Sequence, residues 1–437
     1  MNLKLLQNKY NLSDLELFTQ NISDYKISFV ANKLKQAESV HTTGQAIRLV
    51  QNKKIGFAAN YGLNNISLEE MLTQALEVSR FSPEINIKFP ASKEKKEAKK
   101  QISTEIEEII SSCKTKGELI IETILNNTIT MGNCSPLIDI SFDITDILEG
   151  LENSNDLSYS HSNKIYSFSM NIRETLENDF IEIFTAAVDD SLPNYSFYAD
   201  ELLWFYKLSK KHAKVKTGTC PVLFTSKASK ELLSIVEVAL NGKQVNQKSS
   251  PWHNKLGEKV LSKSITLKQE PSFGYMARSI DDEGNIVQPL TLLNKGVLEN
   301  FYYDLLSANK TTQCNSTGNG FKPSLATQPE PSLLNMTVES GKKTLNEIIK
   351  NIKYGLLVDQ TMGGLSANIS GDISVNVDLG FLIENGEIIG RVKDTMISGN
   401  IYNALNNVIE LSNTPRWYWS NIYSSDMLLD GFMITSK

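Results

Sequence analysis

The stretch that decides the fold reads Gly380-Phe-Leu-Ile-Glu-Asn-Gly-Glu-Ile-Ile-Gly-Arg-Val-Lys-Asp-Thr-Met-Ile-Ser-Gly-Asn400. Apolar runs stand on both sides of Asn385-Gly386, and Asn-Gly between apolar runs is the strongest short-range signal for a two-residue type I′ turn. The stretch therefore predicts an antiparallel β-hairpin. It also agrees with a C-terminal region that reads mostly as strands and turns.

The length and the net charge of the chain limit the classes of protein to which it can belong. The chain has 437 residues and a formal net charge of −6, which is long enough for two or three domains with cores of their own. Its basic residues are dispersed among acidic ones, whereas binding to a phosphate backbone requires a one-sided basic surface. We therefore expect no direct contact with nucleic acid. No apolar run approaches the roughly 20 residues that span a bilayer, and no signal peptide is recognised, so we expect a cytoplasmic protein without membrane contact.

The first unit, residues 1–87, is predicted to be α+β. A short helix is expected over residues 12–21. Ser67 stands three residues before Glu70, which is the capping-box spacing, and predicts an amphipathic helix that ends near Ser79. The predicted strands are residues 27–30, 46–50 and 55–59, with a polar turn at 51–54 between the last two.

Residues 88–103 are predicted to be a charged, solvated connector, because lysines and acids are interleaved there. A middle α+β unit follows at residues 104–217. Its predicted elements are a helix over 104–126, strands over 137–147, 164–173 and 180–188, and a closing helix over 197–215.

The last unit, residues 218–437, is predicted to be mainly β and barrel-like, with few helices. It opens with a buried strand at Cys220, followed by a helix over 227–241 for which Gly242 is the expected C′ glycine. Two more helices are expected over 344–352 and 401–409. The predicted fold class is therefore α+β: sandwich-like N-terminal units with antiparallel sheets, then a barrel-like domain.

The residues that most often carry catalysis form no recognised motif. The histidines are His41, His161, His212 and His253, and the cysteines are Cys113, Cys134, Cys220 and Cys314. No His-Glu-x-x-His is present, and a catalytic zinc usually needs three protein ligands with lone pairs. No two cysteines form a C-x-x-C pair, so buried apolar roles are expected for them. We assign no catalytic, cofactor-binding or metal-binding residue to this chain.

One alternative stays open, in which the chain is itself a peptidase. Its site would lie around His253, in a loop, or around Cys314 with a partner that is distant in sequence.

An acidic run, Asp281-Asp282-Glu283, precedes Gly284 in a predicted hairpin turn. Acids are ordinary turn formers, so we give these residues no catalytic role.

Seven ordered segments resemble the TldD/PmbA family, whose members were once labelled modulators of DNA gyrase and are now regarded as peptidase subunits. The segments are Gly44-Gln-Ala-Ile-Arg-Leu-Val50 with Ile55-Gly-Phe-Ala58, Lys255-Leu-Gly-Glu-Lys-Val260, Asp281-Asp-Glu-Gly284, Thr291-Leu-Leu-Asn-Lys-Gly-Val-Leu298, Asp304-Leu305, Ser316-Thr-Gly-Asn-Gly320 and the 380–400 stretch. They cover both ends of the chain, and the middle unit matches only in layout.

The chain departs from this family where the metal ligands are expected. Catalytic members carry His-Glu, three residues and His on the helix before the Leu-Gly-Glu-Lys-Val segment, and a cysteine ligand near the C-terminus. Counted back without gaps, the motif falls on Leu233-Ser-Ile-Val-Glu-Val238, so Leu233 and Val238 replace the imidazoles and Ser234 replaces the general base. Residues 231–252 hold no histidine, and residues 412–419 hold no cysteine.

This departure resembles the PmbA branch of the family, also called TldE. The resemblance implies a metal-free subunit that pairs with a TldD-type catalytic subunit, in which a zinc-bound water is the nucleophile. A heterodimer is the expected assembly, with a homo-oligomer as the other arrangement. The implied substrate is an extended peptide, gripped as an added β-strand in a closed cavity. A binding protein that modulates DNA gyrase is the remaining alternative.

Trp417-Tyr418-Trp419 has two interpretations. The cluster fills the volume of the missing metal site as a core plug, or it anchors a subunit contact, where Trp and Tyr are enriched. We favour the plug.

Overall fold

The structure is a computed structural model that describes residues 3–62, 66–91, 106–129, 136–177, 179–311, 315–363 and 368–437. The helices of these ranges are α1 (Leu3–Lys9), α2 (Leu68–Ser79), α3 (Ile106–Ile129), α4 (Tyr195–Ser209), α5 (Ser226–Leu240), α6 (Gly242–Asn246), α7 (Leu305–Asn309), α8 (Leu345–Lys350) and α9 (Ile401–Asn406). The strands are β1 (Asp14–Val30), β2 (Lys33–Gln51), β3 (Lys54–Tyr61), β4 (Leu137–Asn153), β5 (Ser158–Leu176), β6 (Asp179–Asp189), β7 (Gly218–Thr219), β8 (Val222–Phe224), β9 (Leu267–Gln269), β10 (Leu290–Asn294), β11 (Val297–Leu298), β12 (Gly320–Phe321), β13 (Glu330–Pro331), β14 (Met336–Val338), β15 (Tyr354–Thr361), β16 (Asp372–Glu384), β17 (Glu387–Arg391), β18 (Thr395–Asn400), β19 (Val408–Leu411), β20 (Arg416–Trp417), β21 (Ile422–Ser424), β22 (Met427–Leu429) and β23 (Met433–Ser436).

The first six strands form one antiparallel sheet in the order β3-β2-β1-β4-β5-β6. Strand β1 pairs with β2 on one side and with β4 on the other, so strands from both predicted N-terminal units share this sheet. Helices α3 and α4 pack on its core through Ile124 and Leu202, which are fully buried beside Phe142 of β4. The boundaries of the units stay a prediction.

The strands from β7 onward form a nine-stranded sheet, a six-stranded sheet and a two-stranded sheet. One large sheet runs β19-β22-β8-β15-β16-β18-β23-β7, with β17 paired to β16, and the other runs β11-β10-β9-β14-β21-β20. Helix α5 buries Leu232 and Val236 in the core of this region. This α+β architecture with curled, largely antiparallel sheets confirms the predicted fold class. No helix in the described ranges is both long and apolar enough to cross a membrane.

The short-range signals of the sequence are confirmed. Asn385 and Gly386 have φ angles of 50° and 81°, as a type I′ turn requires, and they join β16 to β17. Ser67 and Glu70 form the capping box that opens α2. The cysteines Cys113 and Cys220 are buried and free, whereas Cys134 and Cys314 lie outside the described residues, as does most of the predicted connector.

The helix predicted over residues 12–21 is wrong. Helix α1 lies earlier in the chain, and β1 starts at Asp14. The first residues of β1 are buried on both faces, including Asp14, Leu15 and Glu16. The apolar residues there consequently lack the alternation of a half-buried strand, and their spacing of three residues imitated a helix.

Two predicted helices end earlier than expected. Helix α4 ends at Ser209, because the chain after it pairs with β17: the backbone N–H of Arg391 donates to the carbonyl oxygen of Lys211 at 2.7 Å. Helix α9 ends at Asn406, because Val408 enters β19.

Gly242 follows Asn241, the C-cap of α5, and so stands at the predicted C′ position, but it lacks the left-handed backbone of a C′ glycine. It is the first residue of α6, whose N-cap Asn241 accepts from the backbone N–H of Lys243. A Cβ atom at Gly242 would lie 2.1 Å from the ring of Tyr303, so glycine is required by close approach rather than by a left-handed backbone.

Candidate functional site

Helix α5 presents one face that does not enter the core. The helix begins after Thr225, whose side chain accepts from the backbone N–H of Ala228 and caps the first turn. Its apolar side is fully buried, and the residues opposite are Lys230, Glu231, Ser234, Glu237 and Val238. We call these five residues the α5 face.

The segment around β20 and β21 closes over the α5 face. The ammonium of Lys230 donates to the backbone carbonyl oxygen of Tyr418 at 2.9 Å. About two turns further along the helix, the amide of Asn421 donates to the carboxylate of Glu237 at 2.7 Å. The helix and the segment at residues 412–419, which sequence comparison marked as the places of missing ligands, therefore lie in contact.

Burial shifts two titratable groups at this contact. It lowers the pKa of Lys230, and the neighbouring Lys227 ammonium acts in the same direction, while Glu231 opposes the shift. Burial raises the pKa of Glu237 to about 7, although the amide of Asn421 stabilises its carboxylate.

Leu233 and Val238, the positions where an ungapped count places the two histidines of the family motif, do not both lie on the α5 face. Residues five apart lie about 140° apart around a helix. Leu233 is fully buried in the core, whereas Val238 is 41% exposed. The partly exposed residues on this side of the helix are instead Lys230, Glu231, Ser234 and Glu237.

The donor groups of the α5 face do not fit zinc. Zinc sites in proteins use imidazole nitrogen, thiolate and carboxylate ligands. The face offers an ammonium, a hydroxyl, an alkyl group and two carboxylates. Glu231 already accepts from the hydroxyl of Thr361 at 2.9 Å, and Glu237 from the amide of Asn421 at 2.7 Å. Across the described ranges, no three His, Cys, Asp or Glu side chains converge as a metal site would require.

A buried polar group joins the segment around Tyr418 to α4. The hydroxyl of Tyr418 donates to Glu201 at 3.0 Å, and a guanidinium nitrogen of Arg416 lies 2.7 Å from the other oxygen of that carboxylate. Burial raises the pKa of Tyr418 well above its usual value, and the charge of Glu201 adds to the shift. Tyr418 therefore stays a neutral donor that holds β20 against α4.

The aromatic cluster is divided between core and surface. Trp417 is 6% exposed and packs against the rings of Tyr275 and Tyr423, with centroids 5.6 Å and 4.7 Å away. Trp419 is 47% exposed, has a φ of 42° and meets the ring of Phe184 edge-on. Burial of Trp417 agrees with a core plug, and exposure of Trp419 agrees with a surface anchor.

The structure places the four histidines on separate elements. They are His41 in β2, His161 in β5, His212 after α4 and His253 in the loop after α6. His41 lies within β2, which begins earlier than the strand predicted over residues 46–50. His253 is exposed, and its Nδ1 lies 3.0 Å from the carbonyl oxygen of Ser250. Cys314 lies outside the described residues.

Sequence reasoning missed a buried ionic cluster at the acidic turn. Asp281 forms the turn as predicted, because it accepts from the backbone N–H groups of Glu283 and Asn285 at 3.0 Å and 2.7 Å. Glu283, however, lies 2.7 Å from the guanidinium of Arg48 in β2, which also lies 3.1 Å from Glu16 in β1. All three side chains are at most 1% exposed. The signal was an arginine inside the apolar run of a predicted strand.

A second arginine extends this cluster. Arg278 lies 3.0 Å from Asp282 and 3.1 Å from Glu149 in β4. Both arginines thus join the N-terminal sheet to the same turn of the C-terminal region. The acidic turn holds two parts of the fold together.

Comparison with known proteins agrees with this architecture. Residues 217–436 match the family model described as the PmbA/TldA metallopeptidase C-terminal domain. The metalloprotease TldD homolog of Buchnera aphidicola subsp. Acyrthosiphon pisum is 32% identical over 196 residues, which cover 44% of this chain and 40% of that protein. The metalloprotease PmbA homolog of the same organism is 27% identical over 226 residues, or 51% and 48% of the two chains. The chain thus spans about half the length, or less, of these curated relatives.

Solved structures show the same fold over the whole chain. TldE from Thermococcus kodakarensis superposes with a TM-score of 0.88 at 21% identity, covering 100% of this chain and 99% of that one. A protein of Thermotoga maritima described as a putative modulator of a DNA gyrase superposes with a TM-score of 0.84 at 19% identity, covering 99% and 98%. By its matched C-terminal half and its fold, the chain belongs to the PmbA/TldD metallopeptidase family.

Proposed function

We propose that this chain is a PmbA/TldE-type subunit that holds no metal and pairs with a TldD-type subunit that holds zinc. The observation that carries the proposal is the contact between Lys230 and Tyr418. A protonated amine has three donors and no lone pair, so it cannot be a ligand. Its hydrogen bond closes α5 onto the segment around Tyr418 by a contact that needs no metal.

The proposed substrate of the complex is unfolded or extended peptide. Curated relatives of the chain carry the name metalloprotease. A peptide held by main-chain hydrogen bonds as an added strand is selected by its extended shape rather than by its side chains. A cytoplasmic location is part of the proposal, in agreement with the free thiols of Cys113 and Cys220.

The test is reconstitution with a TldD-type protein from the same genome. We expect the lone chain to purify without stoichiometric zinc and without peptidase activity. Mixed with its partner, it should form a complex that cleaves an unfolded polypeptide and leaves the folded form of that polypeptide intact. Zinc bound stoichiometrically by the lone chain would contradict the proposal.

Paired variants assign the activity to one subunit. Replacing the motif glutamate of the TldD-type partner should abolish cleavage. In this chain, Glu231→Gln, His253→Ala and Cys314→Ser should each leave cleavage within about threefold, because none of these residues is given a catalytic role. Cleavage that survives in the inactivated partner, or that is lost in one of these three variants, would favour a peptidase site in this chain.

A further inference from the structure

In the part of the chain that the structure describes, no strand pairs with the outer edge of β2 between Ala37 and His41. Strand β1 pairs with β2 along its whole length, but β3 pairs only with its residues 44–51, and no other strand of the described ranges reaches it. The backbone N–H of Gly62 donates to the carbonyl oxygen of Thr43 at 2.8 Å, so the polar groups of Thr43 point toward the outer edge. Because this direction alternates along a strand, those of Ala37, Ser39 and His41 point outward as well.

This edge has the properties of a pairing site. Unpaired N–H and C=O groups on an edge strand are a template for a strand from another chain. The side chains of β2 are exposed from Lys33 to His41, and Val40 is 51% exposed. On the α3 side the edge borders a groove of about 340 Å³, which Ala37 and Ile110 help to line.

We propose that β2 pairs antiparallel with β2 of a second copy of the chain, about a two-fold axis at Ser39. The three residues whose backbone N–H and C=O groups point outward, Ala37, Ser39 and His41, are spaced evenly about Ser39. The axis therefore pairs Ser39 with its own copy and Ala37 with His41 of the second copy, and satisfies all their outward N–H and C=O groups. The two six-stranded sheets join into one. Such an interface is isologous and closes as a dimer.

The charges along β2 disfavour the register shifted by one residue toward Glu38. With the axis at Ser39, Glu38 faces Val40 of the second copy and Lys35 faces Thr43, so no like charges are opposed. An axis shifted by one residue to Glu38 would place two glutamates opposite each other and Lys35 opposite His41. Like charges directly opposite in a sheet are destabilising.

The dimer is expected to be reversible. So short an edge belongs to the class of small, transient interfaces, below roughly 1,200 Å², and we expect dissociation in about the micromolar range. The measurement is sedimentation velocity or light scattering of the lone chain over a concentration series that crosses this range. A chain that stays monomeric up to several hundred micromolar, roughly a hundredfold above that range, would overturn the proposal.

Charge variants at Glu38 and Val40, which face each other across the proposed axis, test the register. Val40→Glu puts two Glu–Glu pairs across the axis and should weaken the dimer roughly tenfold, whereas Val40→Lys puts two Glu–Lys pairs there and should tighten it by a similar factor. The double variant Glu38→Lys with Val40→Glu also puts two opposite-charge pairs across the axis, so it should reverse the loss and tighten the dimer about as much as Val40→Lys does. An unchanged dimer in all three would contradict the proposed interface.

A backbone variant gives an independent test. Ser39→Pro removes an outward N–H that makes no bond to β1, and proline is tolerated on an edge with that orientation. Ser39→Thr keeps the N–H and is the matched control. We expect the first to abolish dimerisation and the second to retain it, with equal melting temperatures at low concentration. Dimerisation by the proline variant would overturn the proposal, and the assay does not depend on the proposed TldD-type partner.

Discussion

Lys227 of α5 and Asp359 of β15 form a buried ion pair. The ammonium nitrogen lies 2.5 Å from a carboxylate oxygen, and the two side chains are 9% and 2% exposed. The other carboxylate oxygen accepts from the hydroxyl of Thr225 at 2.9 Å. Lys227 also donates to the backbone carbonyl of Phe184 in β6. One lysine thus joins the helix of the candidate site, the sheet beneath it and the N-terminal sheet.

Lys227→Met should lower the free energy of unfolding by about 3–5 kcal/mol, because it leaves the carboxylate of Asp359 buried without a cation. Urea denaturation measures this loss. The matched control is Lys243→Met, whose pair with Glu330 at 2.9 Å is about half exposed on both sides. That control should cost about 1 kcal/mol or less. Equal losses in the two variants would contradict the role given to the buried pair.

Arg48→Met should remove one of the two arginine links between the N-terminal sheet and the acidic turn. It leaves Glu16 and Glu283 as two buried carboxylates without their shared cation, at an expected cost of about 3–5 kcal/mol. Arg48→Lys keeps the charge but cannot hold both carboxylates with one planar fork, so an intermediate loss is expected. Limited proteolysis and urea denaturation measure the effect. Full stability in the methionine variant would show that the cluster is dispensable.

The sequence predicted the features whose causes are local. The Asn385-Gly386 turn and the capping box of Ser67 and Glu70 each depend on residues at most a few positions apart, and both are present. The start of β1 was misread because it is buried on both faces, so its pattern has no period of two.

Contacts that depend on sheet register were beyond sequence reasoning. Arg48 and Glu283 are 235 residues apart, and Lys230 and Tyr418 are 188 apart. Which residues meet at such separations is decided by how the sheets pair and stack, and a single sequence carries no direct signal of that. The resemblance to a family marked the two segments of the candidate site, but it did not identify Lys230 as the residue that joins them.

The stability of the chain should depend on pH through Glu237. Burial raises the pKa of this carboxyl from 4.5 to about 7, so the folded chain binds the proton more tightly than the unfolded chain. The free energy of unfolding should therefore fall as the pH rises from about 4.5 to about 7, by up to roughly 3 kcal/mol, and then level off. Glu237→Gln should remove this part of the dependence in urea titrations at several pH values. Identical pH profiles for the two proteins would contradict the shift.

The two tryptophans of the aromatic cluster should separate a core role from a surface role. Trp417→Ala opens a cavity among packed rings and should cost about 3–5 kcal/mol of stability. Trp419 is half exposed and has a left-handed backbone conformation, which residues other than glycine rarely adopt. Trp419→Gly should therefore change stability by about 1 kcal/mol or less.

The same pair of variants tests the subunit contact with a TldD-type partner. An exposed tryptophan that anchors an interface typically contributes about 2 kcal/mol or more, so Trp419→Gly should weaken the complex roughly thirtyfold while the chain stays folded. Titration calorimetry of the reconstituted pair measures the change. If affinity instead falls only with Trp417→Ala, in step with its lost stability, the cluster is a core plug throughout and Trp419 makes no contact with the partner.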